Sequence, residues 1–506
     1  MSAAVVHVST LALQGLKGVP VQVEVQISGG QPGIYVIGLA GSAVKESRDR
    51  VRGALHALGI ALPDKRVTVN LSPADLTKDG SHYDLPIAVG VLLAFGIIPA
   101  DSAHGWWLVG ELGLNAEVRP VPGCLPAALA AAEHGARLML VPQANAAEAA
   151  WASGAHVGVI GVPTLGALIR HCRGEELLAP ATPRAQVRAP GLVADLRDIR
   201  GQEGAKRAAE IAAAGGHHML LSGPPGSGKS MLASRLPGLL PPLSAAEALD
   251  VSTVHSVAGL LNTEEGLVTS RPFRDPHHSA SPASLTGGGI KAKPGEMSLA
   301  HRGVLFLDEL PEFPRAVLET LRQPLETGSI SIARASAHVT YPARFQLVAA
   351  MNPCACGYLG DPQKGCKSQP SCAQSYQQRL SGPLLDRFDL RVNVPAVKAS
   401  DLSLPAAKEG TAEVAARVAA ARQLQQQRLQ GTSFTCNAEL SGAALEHTCP
   451  LDEESRTFLN TAATRMGLSA RGYHRVVRVA RTLADLASAP HIAKPHVAEA
   501  LAYRVG

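Results

Sequence analysis

At 506 residues the chain is longer than one hydrophobic core ordinarily supports, so it divides into two to four units, each able to bury a core of its own. Hydrophobic residues make up 46% and charged residues 18%, which excludes an intrinsically disordered chain. A formal charge of only +5 excludes a basic coat over the whole molecule, so an anionic partner must be met by local clusters of charge.

The segment from Met1 to Gly15 has neither the basic start nor the unbroken apolar core of a secretory leader. The longest apolar stretch, "LPIAVGVLLAFGIIPA" from Leu85, is too short for a bilayer and is closed by Pro99; it reads as a buried helix. These features predict a cytoplasmic protein with no membrane partner, and they place its eight cysteines in a reducing compartment, where clustering means metal more often than disulfide.

Residues 1–172 alternate short β-like runs ("VQVEVQIS", "GIYVIGL", "KRVTVNL", "LMLVP") with alanine-rich helical stretches, the pattern of an α/β domain. Lys45, Arg48, Arg50 and Arg52 crowd one predicted helix, with Lys65 and Arg66 farther on; a solvated face accounts for them at least as well as a nucleic-acid contact. Residues 173–194 are rich in Pro, Arg and Ala without periodicity and form a linker. A second α/β unit runs over 195–395, opening on the helical run "EGAKRAAEIAAAGG". Residues 396–506 turn to Ala, Gln, Arg and Leu at helical spacing, which predicts a helical bundle.

An apolar run ending at Ser222 breaks into Gly223, Pro224, Pro225, Gly226, Ser227, Gly228, Lys229 and Ser230, a full match to G-x-x-x-x-G-K-[ST]. The glycines let backbone N–H groups turn inward around phosphates, Lys229 reaches the terminal phosphates, and Ser230 ligates magnesium at a helix N-terminus. ATP and Mg2+ are the cofactors this loop calls for. In "GVLFLDELPEF" a buried strand ends in Asp308, placed to hold the metal, and Glu309, placed to polarise the attacking water. "FQLVAAMNP" ends another buried strand in Asn352, which can orient that water. "SGPLLDRFDL" sets Arg387 after a short helix, where it can reach the γ-phosphate of a neighbouring subunit.

This order of motifs resembles the AAA+ ATPases of the magnesium chelatase and MCM helicase branch, and "RPFRDPHHSASPASLTGGG" with "PGEMSLAHRGVLFLDELPEF" resembles the ComM/YifB family more closely still. The likeness covers essentially the whole chain. It implies a central AAA+ P-loop domain, a C-terminal helical lid and a homo-hexameric ring with sites between subunits. By the same resemblance Arg471 in "LSARGYHRVVRVARTLADL" is the lid's sensor 2 arginine, while Arg475, Arg478 and Arg481 read as a solvated or interdomain helix face. The activity implied is an ATP-driven DNA translocase that promotes branch migration of recombination intermediates during natural transformation, acting on single-stranded and branched DNA and working with other recombination proteins. The alternative is a chelatase-type motor that remodels a protein partner.

Between the phosphate loop and Asp308 lies "SLTGGGIKAKPGEMSL", a glycine-rich loop whose Lys291 and Lys293 can approach a phosphate backbone. "TGSISIARASAHVTYPARF" reads as a hairpin presenting Arg334. The resemblance places both at the ring's central pore. With aromatics at 4%, base stacking has few residues to use, so sequence-independent backbone tracking is expected.

Cys354, Cys356, Cys366 and Cys372 form a four-thiolate set within the loop 354–372, suited to structural zinc or left as reduced thiols; their spacings depart from the common two-residue pattern. Cys124, Cys172, Cys436 and Cys449 are isolated and structural. "KDGSHYDLPIAVGVLLA" and "LVGELGLNAEVRPVPGCLPAALAAA" resemble the Lon-type proteolytic domain, a ribosomal S5 domain 2-like fold. That peptidase needs a serine activated by a lysine. Here His82 falls at the nucleophile position with Ser81 one residue away, and no lysine occurs between Lys78 and Lys206. The resemblance therefore implies a Lon-like domain without its catalytic dyad, which argues against an ATP-dependent peptidase.

Overall fold

The computed structural model describes residues 5–62, 64–155, 157–183, 194–262, 266–289, 292–334, 337–359, 366, 370–397 and 409–504. Alternation of apolar and polar residues in β2 (Lys17–Ser28) buries Val21, Val23 and Val25, and in β4 (Arg66–Ser72) it buries Val67, Val69 and Leu71 on the same face. With β1 (Val6–Gln14), β3 (Gly33–Ile37), β5 (Trp106–Leu108), β8 (Leu138–Pro142) and β9 (Gly158–Val162) they build a seven-stranded sheet in the order β3-β4-β2-β1-β5-β8-β9. β1 pairs antiparallel with β2, as does β2 with β4; the other neighbours are parallel. A small ribbon, β6 (Glu111–Leu112) with β7 (Val118–Arg119), flanks the sheet's helices.

The apolar run becomes the helix Asp84–Ala94, buried from Asp84 to Leu93. Asp84 is buried because Arg50, from the basic helix Ser42–Ala57, folds over it at 2.6 and 3.0 Å and Leu112 N–H donates at 3.1 Å. One cation of that helix is thus spent inside the unit. Beyond Cys172 the chain stays on the sheet: Pro180 bridges Ile160, and Ala181 N–H donates to Val159 O at 2.7 Å.

A second sheet is wholly parallel, in the order β11 (Phe273–Arg274), β14 (Val304–Leu307), β17 (Gln346–Met351), β10 (Met219–Ser222), β18 (Leu390–Asn393). Every residue of β14 and β17 is buried, as expected when helices cover both faces of a parallel sheet. Two excursions leave it: the short ribbon of β12 (Gly287–Gly288) and β13 (Lys293–Pro294), and the hairpin of β15 (Ser329–Arg334) and β16 (Ala337–Pro342). Tyr341 Oη on β16 donates to Ala292 O at 2.9 Å, so the two excursions pack together.

Among the described residues after Asn393 the chain is helical, with Thr411–Arg428, Glu453–Met466, Ala470–Leu486 and Lys494–Ala502 as its main elements. These helices share one core with the helix Glu203–Gly215 and strands β10 and β18. Of the solvated or interdomain face expected of Arg475, Arg478 and Arg481, the interdomain alternative is what Arg475 takes, and none of the three is exposed. Arg481 is 2% exposed and joins Arg428 and Asn437 around buried Asp485, while Arg475 reaches buried Asp389 at 2.7 Å. Their partners lie far away in sequence or across the helix, so the arginine spacing alone does not reveal them. No described helix is long and apolar enough to cross a membrane.

The first sheet's helix Cys124–Glu133 packs on the helix Ala245–Ala258 of the second unit, with Gly123 N–H donating to Ser256 O at 2.9 Å. Glu148 lies buried there, bonded by Asn145 Nδ2 at 2.8 Å; burial pushes its carboxyl up to about 7 against the pull of Asn145 and Ser256. Because the folded value is raised above the ordinary 4.5, its contribution to stability is whole below about 4.5 and is lost as pH rises through about 7. Thermal melts from pH 4.5 to 8 should show a loss on the order of 2 kcal/mol across that window, and Glu148→Gln should flatten it.

Candidate active site

Strand order decides which residues meet. β17 lies between β10 and β14, so the C-terminal ends of three buried strands open at one edge of the sheet. The turn after β10 is Gly223–Gly228, and the helix Lys229–Leu239 follows. Gly226 and Gly228 take φ of 75° and 90°, in the left-handed region. At Gly223 the constraint is space: a Cβ there would sit 2.0 Å from Val394 O. Ser227 Oγ is buried in the turn without a protein partner, and Gln202 Nε2 braces the turn at Ser227 O (3.3 Å) and Pro395 O (2.7 Å).

Lys229 is 8% exposed; its Nζ donates to Gly223 O at 2.7 Å, Pro224 O at 2.9 Å and Asn352 Oδ1 at 3.3 Å. Burial pushes its ammonium down, opposed by the charges of Asp308 and Glu309. Ser230 Oγ donates to Asp308 Oδ2 at 2.6 Å, and Glu309 N–H donates to Asp308 Oδ1 at 2.9 Å. Glu309 holds φ at 53°, a conformation that a non-glycine residue keeps only under constraint. A hydroxyl and a carboxylate in contact beside a buried lysine, with an orphaned hydroxyl in a glycine turn, suit a magnesium–nucleotide: Ser230 and Asp308 as hard oxygen ligands, the turn and Lys229 for phosphates.

The structure thus brings Lys229, Ser230, Asp308, Glu309 and Asn352 together, and it sets Arg387 and Arg471 elsewhere. Leu390, which opens β18, is paired with Met219 at the start of β10, so Arg387 lies at the N-terminal edge of the sheet, opposite the phosphate loop. Its guanidinium pairs with Glu326, its carbonyl accepts from Arg475 Nη1 at 2.6 Å, and exposed Arg471 acts on the same Glu326. Lys293 is exposed on β13. Lys291 and the side chain of Arg334 lie outside the described residues, although the Arg334 backbone pairs with Ala337. The Sγ atoms of Cys354, Cys356, Cys366 and Cys372 all lie within 4.8 Å of one another.

Models of magnesium chelatase subunit ChlI match residues 23–145 and 195–402, and one of its C-terminal part matches 408–504. The uncharacterized protein YifB of Salmonella typhimurium is 45% identical over 506 residues, 100% of this chain and 97% of that protein. Competence protein ComM of Haemophilus influenzae is 44% identical over 510 residues, 100% of this chain and 98% of its own. The chain belongs to the magnesium chelatase-like ComM/YifB family. Shorter stretches are similar to Lon protease 2 of Bacillus subtilis (30% over 104 residues) and to a probable DNA helicase MCM9 of Oryza sativa (31% over 173 residues).

Within this ComM/YifB chain, several residues at the site escaped the reading of motifs. His278 Nδ1 stands 3.2 Å from Glu309 Oε2, its ring edge-on to Phe313 and close to His277. Asp275 is near enough to Asp308 for that charge, added to burial, to raise its carboxyl. Both belong to "RDPHHSAS", whose histidine pair just after β11 was the available signal. Tyr376 is the third: it is 2% exposed, and burial pushes its phenol up while the nearby Asn352 backbone pulls it down.

Gly223→Ala should lower stability by roughly 1–3 kcal/mol through the clash with Val394 O and abolish the upward shift of the melting temperature with ATP. Gly204→Ala, in open space on a helix, should keep that shift and lose no stability.

Proposed function

We propose that this ComM/YifB member is a homo-hexameric ATP-driven DNA translocase that promotes branch migration of recombination intermediates. The observation that carries the reading is the separation of the chemistry between two edges of one sheet. Lys229, Ser230 and Asp308 bind ATP and Mg2+ at the C-terminal edge, Glu309 polarises water there, and Asn352 orients it. Arg387, at the opposite edge, cannot serve its own chain's phosphates, so a second copy must present its phosphates to it. Arg471 shares Glu326 with Arg387 and acts on the same side, from a C-terminal helical lid that Arg475 anchors to Asp389. A ring closes such head-to-tail contacts.

Lys293, with Lys291 and the Arg334 hairpin, supplies the polymer contact. The packing of Tyr341 on Ala292 holds the two excursions side by side, and a ring repeats that charge around one channel. Such contacts go to phosphates, so the binding is sequence-independent and weakens steeply with salt. The competence name of the Haemophilus relative supports a role in natural transformation. The first unit keeps a Lon-like fold without peptidase chemistry: His82 takes the place of the serine, and its Nε2 bonds Leu11 O at 3.0 Å. The four cysteines hold structural zinc.

Glu309→Gln should still bind ATP, with hydrolysis reduced about a hundredfold or more, and Lys229→Ala should not bind it. Mixing Arg387→Ala with Lys229→Ala subunits should restore part of the activity, since some seams then pair an intact loop with an intact arginine. The decisive assay is ATP-dependent resolution of forked and four-way DNA; a chain whose hydrolysis ignores DNA and which resolves neither substrate is not a translocase.

A further inference from the structure

Asn352 is followed directly by Pro353 and Cys354, the first of the four clustered thiols. From Asn352 to Ser375 the buried positions among the described residues are Cys354, Gly357 and Cys366, so the described residues bury no large apolar side chain there. The thiols themselves are the material available for that. Tetrahedral zinc at about 2.3 Å from each sulfur spaces its thiolates by roughly 3.8 Å. The four Sγ atoms, already within 4.8 Å of one another and with Cys354 and Cys356 at 3.2 Å, close around one ion with shifts on the order of an ångström.

Three ties run from this cluster to the nucleotide site. Cys354 is three residues past the end of β17 and two past Asn352, so whatever fixes its sulfur also constrains the strand exit at which Asn352 lies. Cys372 lies on the helix Ser371–Gln377, one turn before Tyr376 and on the same face. There Tyr376 is buried with its phenol near enough to the Asn352 backbone N–H and to the Glu312 and Glu309 charges to be shifted by them, and Arg379, over the Tyr376 ring, bonds Glu312 at 2.8 Å. Gly357, turned by a bond from its N–H to Cys354 O at 2.9 Å, lies flat on the Pro225 ring of the phosphate loop, where a Cβ would approach to 2.8 Å.

We propose that zinc held by Cys354, Cys356, Cys366 and Cys372 is a positioning centre for ATP turnover, setting Asn352 through Cys354 and through the Cys372–Tyr376 helix, so that metal occupancy governs the rate of hydrolysis. The proposal rests on the ATPase reading above. Zinc carries out no chemical step here. It crosslinks the loop that carries the four thiols, and Tyr376 and Gly357 pass that rigidity to the strand end and the phosphate turn.

The full-length chain, purified under reducing conditions, should carry one zinc per chain by elemental mass spectrometry. Cys366→Ser and Cys372→Ser should lose the metal, and kcat should fall roughly ten- to hundredfold, the effect of misplacing a reacting group by about an ångström. Cys372→His, which can still ligate zinc, should keep the ion and most of the rate, which separates metal loss from misfolding. Tyr376→Phe should keep the zinc and the melting temperature but lower kcat several-fold with KM for ATP little changed. A zinc-free wild-type chain, zinc-free variants that turn over at the wild-type rate, or a zinc-loaded Tyr376→Phe at the wild-type rate would each overturn the proposal. Should the wild-type chain hydrolyse no ATP, the ATPase reading fails by itself. The coupling is then decided by affinity for a fluorescent ATP analogue: it stands if Cys366→Ser binds more weakly than Cys372→His and falls if the two bind alike.

Discussion

All-parallel pairing in the second sheet is the constraint from which the site follows. Strands that run the same way and are buried on both faces have no room for polar side chains along their length, so polar residues collect where the chain leaves the sheet. Inserting β17 between β10 and β14 then sets three such exits side by side. Lys229 reaches Asn352 across one strand spacing, and Ser230 reaches Asp308 across two. Beyond the glycine turn itself neither contact needs a further loop, because the register of Leu221 with Ala350 and of Leu307 with Ala349 already brings the ends level.

The same constraint fixes what happens at the other edge. Arg387 enters the sheet region just before β18, at the N-terminal ends of its neighbours, and it is held by groups from the helical C-terminal part. Asp389 is the pivot. Burial alone would raise its carboxyl, but the Arg475 guanidinium and His217 hold it well below the usual carboxylate range, and it also accepts from His218 N–H at 3.1 Å. Removing one partner from a buried pair of this kind is costly, which makes the seat of Arg387 rigid. A rigid arginine on one face and a phosphate loop on the opposite face are the two features on which the proposed ring rests.

Much of this was legible in the residue order, and the reasons are physical. Gly223–Ser230 is readable because backbone N–H groups can close on phosphate only with glycine at particular turns, and Asp308 and Asn352 because a run of buried apolar residues ending in a polar one marks a strand exit. The β-alternation of "VQVEVQIS" and "KRVTVNL" likewise shows which face is buried, though it says nothing of strand order. What stayed hidden depends on contacts between distant segments. Helical spacing of Arg475, Arg478 and Arg481 looks like a wet face until Asp389 and Asp485 are seen buried beneath it. β11 is only two residues long, too short for any period, so the placing of His278 against Glu309 had no local signal beyond the histidine pair itself. The cysteines were visible as a set, yet their uneven spacing gave no hint that Gly357 lies on Pro225.

The contact between the first unit and the second adds a direction to the machine. The turn of the β1–β2 hairpin is close-packed at Gly15, where a Cβ would stand 2.5 Å from the Val339 side chain on β16, and Gly123 is bonded to the helix Ala245–Ala258. These contacts fall on the hairpin and on the segment between phosphate loop and Asp308, away from the sheet edges where the nucleotide groups lie. The first unit therefore packs on the hairpin that the proposed function assigns to DNA and on the helix Ala245–Ala258. With Gly15 packed on Val339, the first sheet and the hairpin share a contact, so motion of β15 and β16 must either carry the first sheet with it or be resisted by it.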